Sequence, residues 1–363
     1  MIHVFVGTKA QFIKMAPIMM ELNKREILYN LIDAGQHGGL TGELMEQFAL
    51  GEPNVFLRSE KTTIKTMWQA IKWTAKSLLQ LIVKPKAISN QVFQGKKGVC
   101  LIHGDTLTTL ISLLYAKRCG IKVAHVEAGL RSYRLFDPFP EEIIRLLAMR
   151  FSDILFAPSE WAYQNLKKMG YEAKTIDAGG NTIIDTVRYA LEKVNGRSQT
   201  SQPYIIVTTH RVETIYSKSR LQFIIEFLEK VADQRQVRFV LHHPTENQLR
   251  RFGLFGRLAH NPQIELSPLQ PYIKFVGLLA NADFIVTDGG SIQEESYILN
   301  KPCLIMRTTT ERMEGLGENA FLADFSHERI DQFLNQLPSF NRVELPDSIK
   351  PSATIVDHIT EWA

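Results

Sequence analysis

Three carboxylates, Asp105, Glu127 and Glu141, have the types and positions needed for acid–base chemistry. Asp105 and Glu127 each follow a short apolar segment typical of a buried strand, and Glu141 follows Pro140, a residue favoured in the first turn of a helix. Because ligands of open α/β sheets bind beyond the carboxyl ends of the strands, we expect these side chains to share a site. A helix dipole favours ionised Glu141, whereas crowding favours protonation, so the carboxylates could divide the roles of base and acid. Taken singly, each is also consistent with a surface cap or a turn.

A second segment, rich in glycine, predicts an anion site. Gly289, Gly290 and Ser291 lie between an apolar strand and a predicted helix. The glycines let the backbone approach a ligand closely, and the N–H groups at a helix N-terminus bind phosphate. Glu295 lies about one turn into that helix, where it is better suited to accept from a ribose hydroxyl than to face a diphosphate. The segment therefore predicts a nucleotide site, and a purely structural glycine turn is the alternative.

Basic residues follow other apolar strands in ways that suit phosphate. His210 and Arg211 end a predicted strand of the same half of the chain, where an imidazole and a guanidinium could neutralise phosphate oxygens. Arg312 lies in the loop that would close this rim. Lys9 and Lys14 flank the start of the first predicted helix, which indicates either a further anion site or a solvated helix face.

The elements that must position these residues alternate regularly. Helical patterns separate short apolar strands, which is typical of right-handed βαβ units and parallel sheets. Strands are predicted at 2–6, 29–34, 99–103, 121–126, 153–157, 172–177, 204–208, 237–241, 264–266, 283–287 and 302–306. Helices are predicted at 43–50, 63–83, 106–118, 140–151, 160–169, 271–280 and 292–299, besides the one that begins near Lys9.

The fold class predicted from this order is α/β, with two Rossmann-like doubly wound domains facing across a cleft. A polar, turn-rich segment at 195–203 is the predicted linker. We therefore expect an N-terminal domain over 1–195 with the acid–base carboxylates and a nucleotide-binding domain over 203–350. A helix within 351–363 is expected to pack back across the domains.

Composition excludes several classes of protein. The 363 residues exceed the roughly 250–300 that one core supports, and 45% hydrophobic with 22% charged residues is ordinary for a globular protein. A formal charge of +4 is too small to imply nucleic acid binding. Cys100, Cys119 and Cys303 are isolated, which predicts buried, reduced thiols and no zinc site. Without a signal peptide or an apolar span, a cytoplasmic location is expected.

The predicted helix 63–83 carries the local excess of basic residues together with two tryptophans, Trp68 and Trp73. One interpretation is a helix packed on the core with a solvated lysine face. The other is an amphipathic helix that makes a peripheral contact with an anionic membrane surface.

Several motifs, in this order along the chain, carry a resemblance to a known family. They are Gly7-Thr8, Ile13-Lys14-Met15-Ala16-Pro17, Gly104-Asp105-Thr106, His125-Val126-Glu127-Ala128-Gly129-Leu130-Arg131, Pro140-Glu141-Glu142, Gly180-Asn181-Thr182-Ile183-Ile184-Asp185, His210-Arg211, Ile292-Gln293-Glu294-Glu295 and Thr310-Glu311-Arg312. The chain resembles the UDP-N-acetylglucosamine 2-epimerases, and the bacterial non-hydrolysing type most closely.

The resemblance implies a GT-B-like fold and inversion of C2 of a UDP-2-acetamido sugar. In the family the C2 proton is lost as UDP is eliminated, a 2-acetamidoglucal forms, and UDP adds back after reprotonation on the other face. The resemblance implies acid–base roles for Asp105, Glu127 and Glu141 and a position beside the diphosphate for His210. It implies UDP binding by Lys14, Gly290, Ser291 and Glu295. It also implies no metal or nicotinamide cofactor, a role in cell-surface polysaccharide synthesis, and a homodimer formed through the N-terminal domain.

Departures from the family pattern leave other functions open. Lys9 and Gln11 replace a typical arginine and glutamate, and the usual Ser-Gly-Gly is permuted to Gly289-Gly290-Ser291. A lysine cannot hold phosphate as a bidentate fork. One alternative is a GT-B glycosyltransferase that uses a UDP-sugar and a membrane-associated acceptor, and another is a UDP-sugar binding protein without catalysis.

Overall fold

The computed structural model describes residues 1–35, 40–58, 85–135, 139–194, 203–310, 312–340 and 345–362. The chain divides into two compact units, Met1–Thr186 with Asp347–Ala363, and Val187–Pro346. The predicted helix 63–83 and most of the predicted linker, 195–202, lie outside the described residues, so the linker and the domain boundaries stay predictions. Among the residues described, no helix is long and apolar enough to span a membrane.

The first unit contains a seven-stranded parallel sheet in the order β3-β2-β1-β4-β5-β6-β7. Its strands are β1 Ile2–Val6, β2 Tyr29–Asp33, β3 Val55–Phe56, β4 Val99–His103, β5 Lys122–Val126, β6 Ile154–Ala157 and β7 Thr175–Asp177. The central strands β1 and β4 are buried along their whole length, which explains why each is apolar except for one histidine. The order reverses between β1 and β4, and this switch point is where such sheets bind ligands.

The helices of this unit cover both faces of the sheet, as short apolar strands buried on both faces require. They are α1 Lys9–Lys24, α2 Leu40–Gln47, α3 Pro85–Val92, α4 Leu107–Arg118, α5 Glu141–Phe151, α6 Glu160–Lys168, α7 Ile183–Val194 and a C-terminal helix, Pro351–Thr360. The last residues of α7 lie in the second unit. The C-terminal helix packs on α1, where Asp357 pairs with Arg25.

The second unit repeats the design with a six-stranded parallel sheet in the order β10-β9-β8-β11-β12-β13. Its strands are β8 Tyr204–Thr208, β9 Gln236–Leu241, β10 Ile264–Pro268, β11 Ile285–Thr287, β12 Cys303–Ile305 and β13 Ala320–Leu322. Its further helices are α8 Val212–Ile215, α9 Lys218–Ala232, α10 His243–Arg251, α11 Phe255–Ala259, α12 Tyr272–Ala280, α13 Gly290–Ile298 and α14 His327–Gln336. The C-terminal helix of the first unit, Pro351–Thr360, is numbered α15. The switch point lies between β8 and β11.

The prediction of two doubly wound parallel-sheet domains is confirmed, and the local differences have simple causes. The predicted strand 172–177 begins with a short 3-10 helix, Glu172–Lys174, so only its last three residues are in the sheet. The predicted helix 292–299 begins earlier, at Gly290, because glycine tolerates the helix start as well as a turn. All three cysteines are buried and form no disulfide.

Candidate active site

Glu127 lies directly after β5 and is the most constrained of the three predicted carboxylates. Its backbone lies in the left-handed region, with φ of +65°. Residues other than glycine rarely adopt this conformation unless the surrounding fold imposes it. Lys14 Nζ donates to both carboxylate oxygens, at 3.1 and 2.9 Å. His103 Nε2 lies 2.9 Å from Oε2. All three side chains are buried, so the Lys14–Glu127 ion pair favours the charged forms of both groups in a region that excludes water.

Asp105 and Glu142 share Arg145 of α5. Arg145 Nη2 lies 2.5 Å from Asp105 Oδ2, and its Nη1 lies 3.3 Å from Glu142 Oε2. Glu142 also accepts from Arg131 Nε at 2.5 Å and from the Ser132 backbone N–H at 3.0 Å. Burial works to raise the pKa of Glu142, but the Ser132 N–H and the Arg131 guanidinium outweigh it and lower the pKa. Glu142 is thus a fixed anion that orients Arg145 toward Asp105.

Glu141 differs from the other two carboxylates because it pairs with no cation among the residues that the structure describes. It is the first residue of α5, and Pro140 is the preceding cap residue, so the predicted place of Pro140 in the first turn is wrong by one position. Glu141 Oε2 is buried and forms no hydrogen bond with the described residues. Of the three predicted carboxylates, two therefore form ion pairs, whereas Glu141 forms none with the described residues.

Gln11 joins the start of α1 to the end of β4. Its Oε1 accepts from the Gly7 backbone N–H at 3.1 Å, and its Nε2 donates to the His103 carbonyl at 2.8 Å and to Thr106 Oγ1 at 2.8 Å. An ionised carboxylate could not make the contact with the His103 carbonyl, because it has no proton to donate. The local structure therefore uses the amide group of Gln11 both as an acceptor and as a donor. Lys9 begins the same helix.

His125, in β5, supports the turn that presents Asp105. Its Nε2 lies 2.8 Å from the carbonyl oxygen of Gly104, a residue with φ of +64°. Burial lowers the pKa of His125 to about 4, and the Gly104 hydrogen bond opposes this only in part. His125 is thus held neutral behind the carboxylates.

In the second unit, Asp288 anchors the end of β8 to the end of β11. This fully buried carboxylate accepts from the backbone N–H groups of His210, at 2.9 Å, and Arg211, at 3.0 Å. The His210 ring stacks on His242, with centroids 4.6 Å apart. Burial lowers the pKa of His210, Asp288 opposes that effect, and Arg211 adds to it. A neutral imidazole is therefore held at the switch point of the second sheet.

The glycine segment has the form of an anion cradle. Gly289 is the N-cap of α13, and Gly290 and Ser291 form its first turn. A Cβ on Gly289 would lie 2.8 Å from His210 Cε1, so only glycine leaves room for the imidazole in this position. The start of α13 therefore lies close to His210, and the N–H groups of a first helical turn are suited to bind phosphate.

Further along α13, successive carboxylates contact different partners. Tyr272 donates to Glu295 Oε1 at 3.1 Å, and burial followed by the charge of Glu295 raises the pKa of Tyr272. Arg312 Nη1 donates to Glu294 Oε1 at 2.8 Å, so the structure joins Arg312 to α13 through a buried ion pair. Gln293 accepts from Thr310 at 2.9 Å, which holds the same loop.

The structure thus gathers the sequence-predicted residues into one group in each unit. Asp105, Glu127 and Lys14 belong to the first group, and His210, Gly289 and their neighbours belong to the second. The roles assigned to each of them stay predictions. Sequence reasoning missed Arg145 and the contact of His103 with Glu127. Arg145 could have been found, because it lies four residues after Glu141 on one helix face, but His103 gave no local signal.

Two Rossmann-like units in one chain, each with polar side chains gathered at its strand ends, define a protein of the GT-B-like class. The family model described as UDP-N-acetylglucosamine 2-epimerase matches residues 20–350. The UDP-N-acetylglucosamine 2-epimerase of Methanocaldococcus jannaschii is 34% identical over 337 residues, which is 89% of this chain and 88% of that protein. This chain belongs to the UDP-N-acetylglucosamine 2-epimerase family.

Other similar proteins extend the comparison. A crystal structure of the M. jannaschii enzyme in complex with UDP-GlcNAc and UDP has a TM-score of 0.82 and 30% identity, covering 99% of both chains. The UDP-2,3-diacetamido-2,3-dideoxy-D-glucuronate 2-epimerase of Pseudomonas aeruginosa is 30% identical over 85% of this chain and 84% of that protein.

Proposed function

We propose that this protein inverts C2 of a UDP-2-acetamido sugar by eliminating UDP and adding it back. The observation that carries the proposal is Glu127, whose backbone has a positive φ and whose buried carboxylate pairs with Lys14. This arrangement occurs in a chain that belongs to the epimerase family. The two relatives named above are epimerases that act at C2 of 2-acetamido UDP-sugars, which supports the same class of substrate here. Conversion of UDP-GlcNAc to UDP-ManNAc, for polysaccharide synthesis at the cell surface, is the simplest case.

The first unit would move the proton. Asp105, paired with Arg145, and Glu127, paired with Lys14, are the carboxylates that we assign to accept the proton from C2. Glu141 Oε2 has no hydrogen-bond partner among the described residues, and we assign Glu141 the opposite role of a proton donor. Inversion requires a base on one face of the sugar and an acid on the other, and this division meets that need.

The second unit would bind UDP and stabilise it as it leaves. His210, Arg211 and the start of α13, with Gly290 and Ser291, suit the diphosphate, because each supplies a donor or a positive charge to its oxygens. Glu295 would accept from the ribose hydroxyls. The proposed chemistry requires a base, an acid and neutralised phosphates, so we expect no metal or nicotinamide cofactor.

Two further predictions concern the assembly and the location of the protein. A homodimer and a cytoplasmic location, with or without membrane contact through 63–83, are consistent with a UDP-sugar enzyme and stay proposals. The glycosyltransferase alternative came from the departures at Lys9, Gln11 and Gly289-Gly290-Ser291, with helix 63–83 as its membrane face. That helix lies outside the described residues, and the comparisons support the epimerase and not the glycosyltransferase.

Incubation of the purified protein with UDP-GlcNAc tests the proposal. Proton NMR should show the anomeric signal of a second 2-acetamido UDP-sugar growing to a constant ratio with the first. A matched sample with Glu127→Gln should show none while still binding UDP in calorimetry. Transfer of the sugar to an acceptor, or no change with any 2-acetamido UDP-sugar, would contradict it.

A further inference from the structure

We propose that Thr186 of α7 is a positioning residue for Lys14, because its hydroxyl holds the peptide group that directly precedes the lysine. The inference rests on the proposed function and deepens it, since Lys14 is the cation that contacts the Glu127 carboxylate. The sequence motif of this region ends one residue earlier, at Asp185, and did not single out Thr186.

The first observation concerns Pro17, which lies inside α1. In an α-helix the backbone N–H of each residue donates to the carbonyl four residues earlier. Proline has no N–H, so the carbonyl of Ile13 lacks the donor that position 17 would otherwise supply. Both residues are buried, and a buried carbonyl without a donor costs free energy. The carbonyl directly before Lys14 therefore needs a donor from another residue.

The second observation is the donor itself. Thr186 Oγ1 donates to the Ile13 carbonyl at 2.9 Å, and the threonine is fully buried. The same hydroxyl lies 3.3 Å from the carbonyl of Thr182, which already accepts from the Thr186 backbone N–H. A hydroxyl has one proton to donate, and the shorter distance assigns that proton to Ile13. Thr186 thus supplies the donor that Pro17 lacks.

The third observation is what this hydrogen bond fixes. The Ile13 carbonyl and the Lys14 nitrogen belong to one planar peptide group, so a bond to the carbonyl also restrains the Cα of Lys14. From that Cα, a flexible four-carbon stem must bring Nζ to both oxygens of Glu127, at 3.1 and 2.9 Å. A shift of the peptide would therefore lengthen the contacts of Lys14 with the carboxylate.

The start of α7 is itself held against the elements that surround α1. Asp185 Oδ2 accepts from the Ser352 backbone N–H at 2.8 Å, at the start of α15, and α15 packs on α1. Thr186 is the last residue of the first unit, and α7 continues into the second. The peptide before Lys14 is therefore tied to a helix that both units share.

The test removes the hydroxyl and then supplies the missing donor by another route. Thr186→Val has nearly the shape of threonine but no donor. We expect it to lower kcat about tenfold or more, because misplacing a reacting group by about 1 Å can cost about a hundredfold. KM and the Kd for UDP should stay within about twofold, since the change acts through Glu127 on the proton transfer. Thr186→Ser, which retains the hydroxyl, should keep most of kcat.

The decisive variant combines Thr186→Val with Pro17→Ala. Alanine at position 17 has a backbone N–H that can donate to the Ile13 carbonyl, so the double variant should recover most of kcat. The matched control is Thr175→Val. Thr175 Oγ1 donates to the Tyr171 carbonyl at 2.8 Å, but this carbonyl also accepts from the Lys174 backbone N–H at 3.1 Å. The kcat of Thr175→Val should therefore stay within about twofold of the wild-type value.

Crystal structures provide a readout that does not depend on activity. In Thr186→Val the distances from Lys14 Nζ to the Glu127 oxygens should lengthen, and in the double variant they should return to the wild-type values. The inference is wrong if Thr186→Val retains wild-type kcat, if the double variant is as impaired as Thr186→Val, or if UDP affinity falls as much as kcat. If the wild type itself forms no epimer, the proposed function fails, and an unmoved Lys14 in Thr186→Val would separately contradict the positioning role.

Discussion

At the scale of single residues, Glu127 combines two features that both cost free energy, a left-handed backbone and a buried charge. Natural proteins keep such features where function requires them. The Lys14 ammonium compensates the charge, and removing one member of a buried pair usually costs more than removing both.

Lys14→Met should therefore destabilise the protein by about 3–5 kcal/mol, because it leaves the Glu127 carboxylate buried without its cation. Activity should fall by at least about a hundredfold, as expected when an acid–base group is lost. Chemical denaturation measures the first effect and an epimerase assay the second. The double variant Lys14→Met with Glu127→Gln should regain part of the stability and none of the activity. The pair is not coupled if the destabilisations of Lys14→Met and Glu127→Gln, measured singly, add up to that of the double variant.

Gly289 allows a second prediction at this scale. Its φ of −92° is open to any residue, so Gly289→Ala should fold normally, but the new Cβ would displace the His210 ring. We expect UDP affinity to fall about tenfold or more, the cost of a lost charge-assisted contact. Gly256→Ala is the control, since its Cβ would meet His260 at an ordinary 3.7 Å. Calorimetric titration with UDP compares the two, and unchanged affinity in Gly289→Ala would separate His210 from the UDP site.

At the scale of elements, Gln11 links the start of α1 with the end of β4. Gln11→Glu would replace a donor to the His103 carbonyl with a carboxylate, and two oxygens would face each other. We expect the free energy of unfolding to fall by about 1–3 kcal/mol, the cost of an unsatisfied buried polar group. The exposed Gln263→Glu should have little effect on the same thermal denaturation curve. A neutral or stabilising Gln11→Glu would show that the amide contacts are dispensable.

Sequence patterns predicted the helices and strands better than they predicted which side chains contact each other. The largely apolar segments of β4, β5 and β8 and the motifs at their ends were sufficient to place Asp105, Glu127 and His210 at the edge of a parallel sheet. The contact of Lys14 with Glu127 joins residues 113 positions apart, and no local period encodes such a distance. The contacts of His103 and His242 likewise depend on how neighbouring strands align, which their own short segments do not determine.

At the scale of the whole molecule, buried histidines make stability depend on pH. Burial lowers the pKa values of His3 and His125 to about 4, whereas in the unfolded chain they lie near the ordinary value of 6.5. Between these values the unfolded chain binds more protons, so stability is complete above pH 6.5 and falls as the pH drops toward 4. Melting temperatures measured across this window should decline less steeply for His125→Asn than for the wild type. The exposed His260→Asn should leave the slope unchanged, and an identical slope in all three proteins would contradict the explanation.

The central claim concerns the molecule as an enzyme, and deuterium exchange at C2 tests it most directly. The protein is incubated with UDP-GlcNAc in D₂O, and proton NMR follows the C2 proton of each 2-acetamido UDP-sugar. We predict that deuterium enters C2 of the substrate and of its epimer, and that Glu127→Gln binds UDP but catalyses no exchange. A wild-type protein that binds UDP yet exchanges no C2 proton and forms no epimer with any 2-acetamido UDP-sugar would contradict the claim.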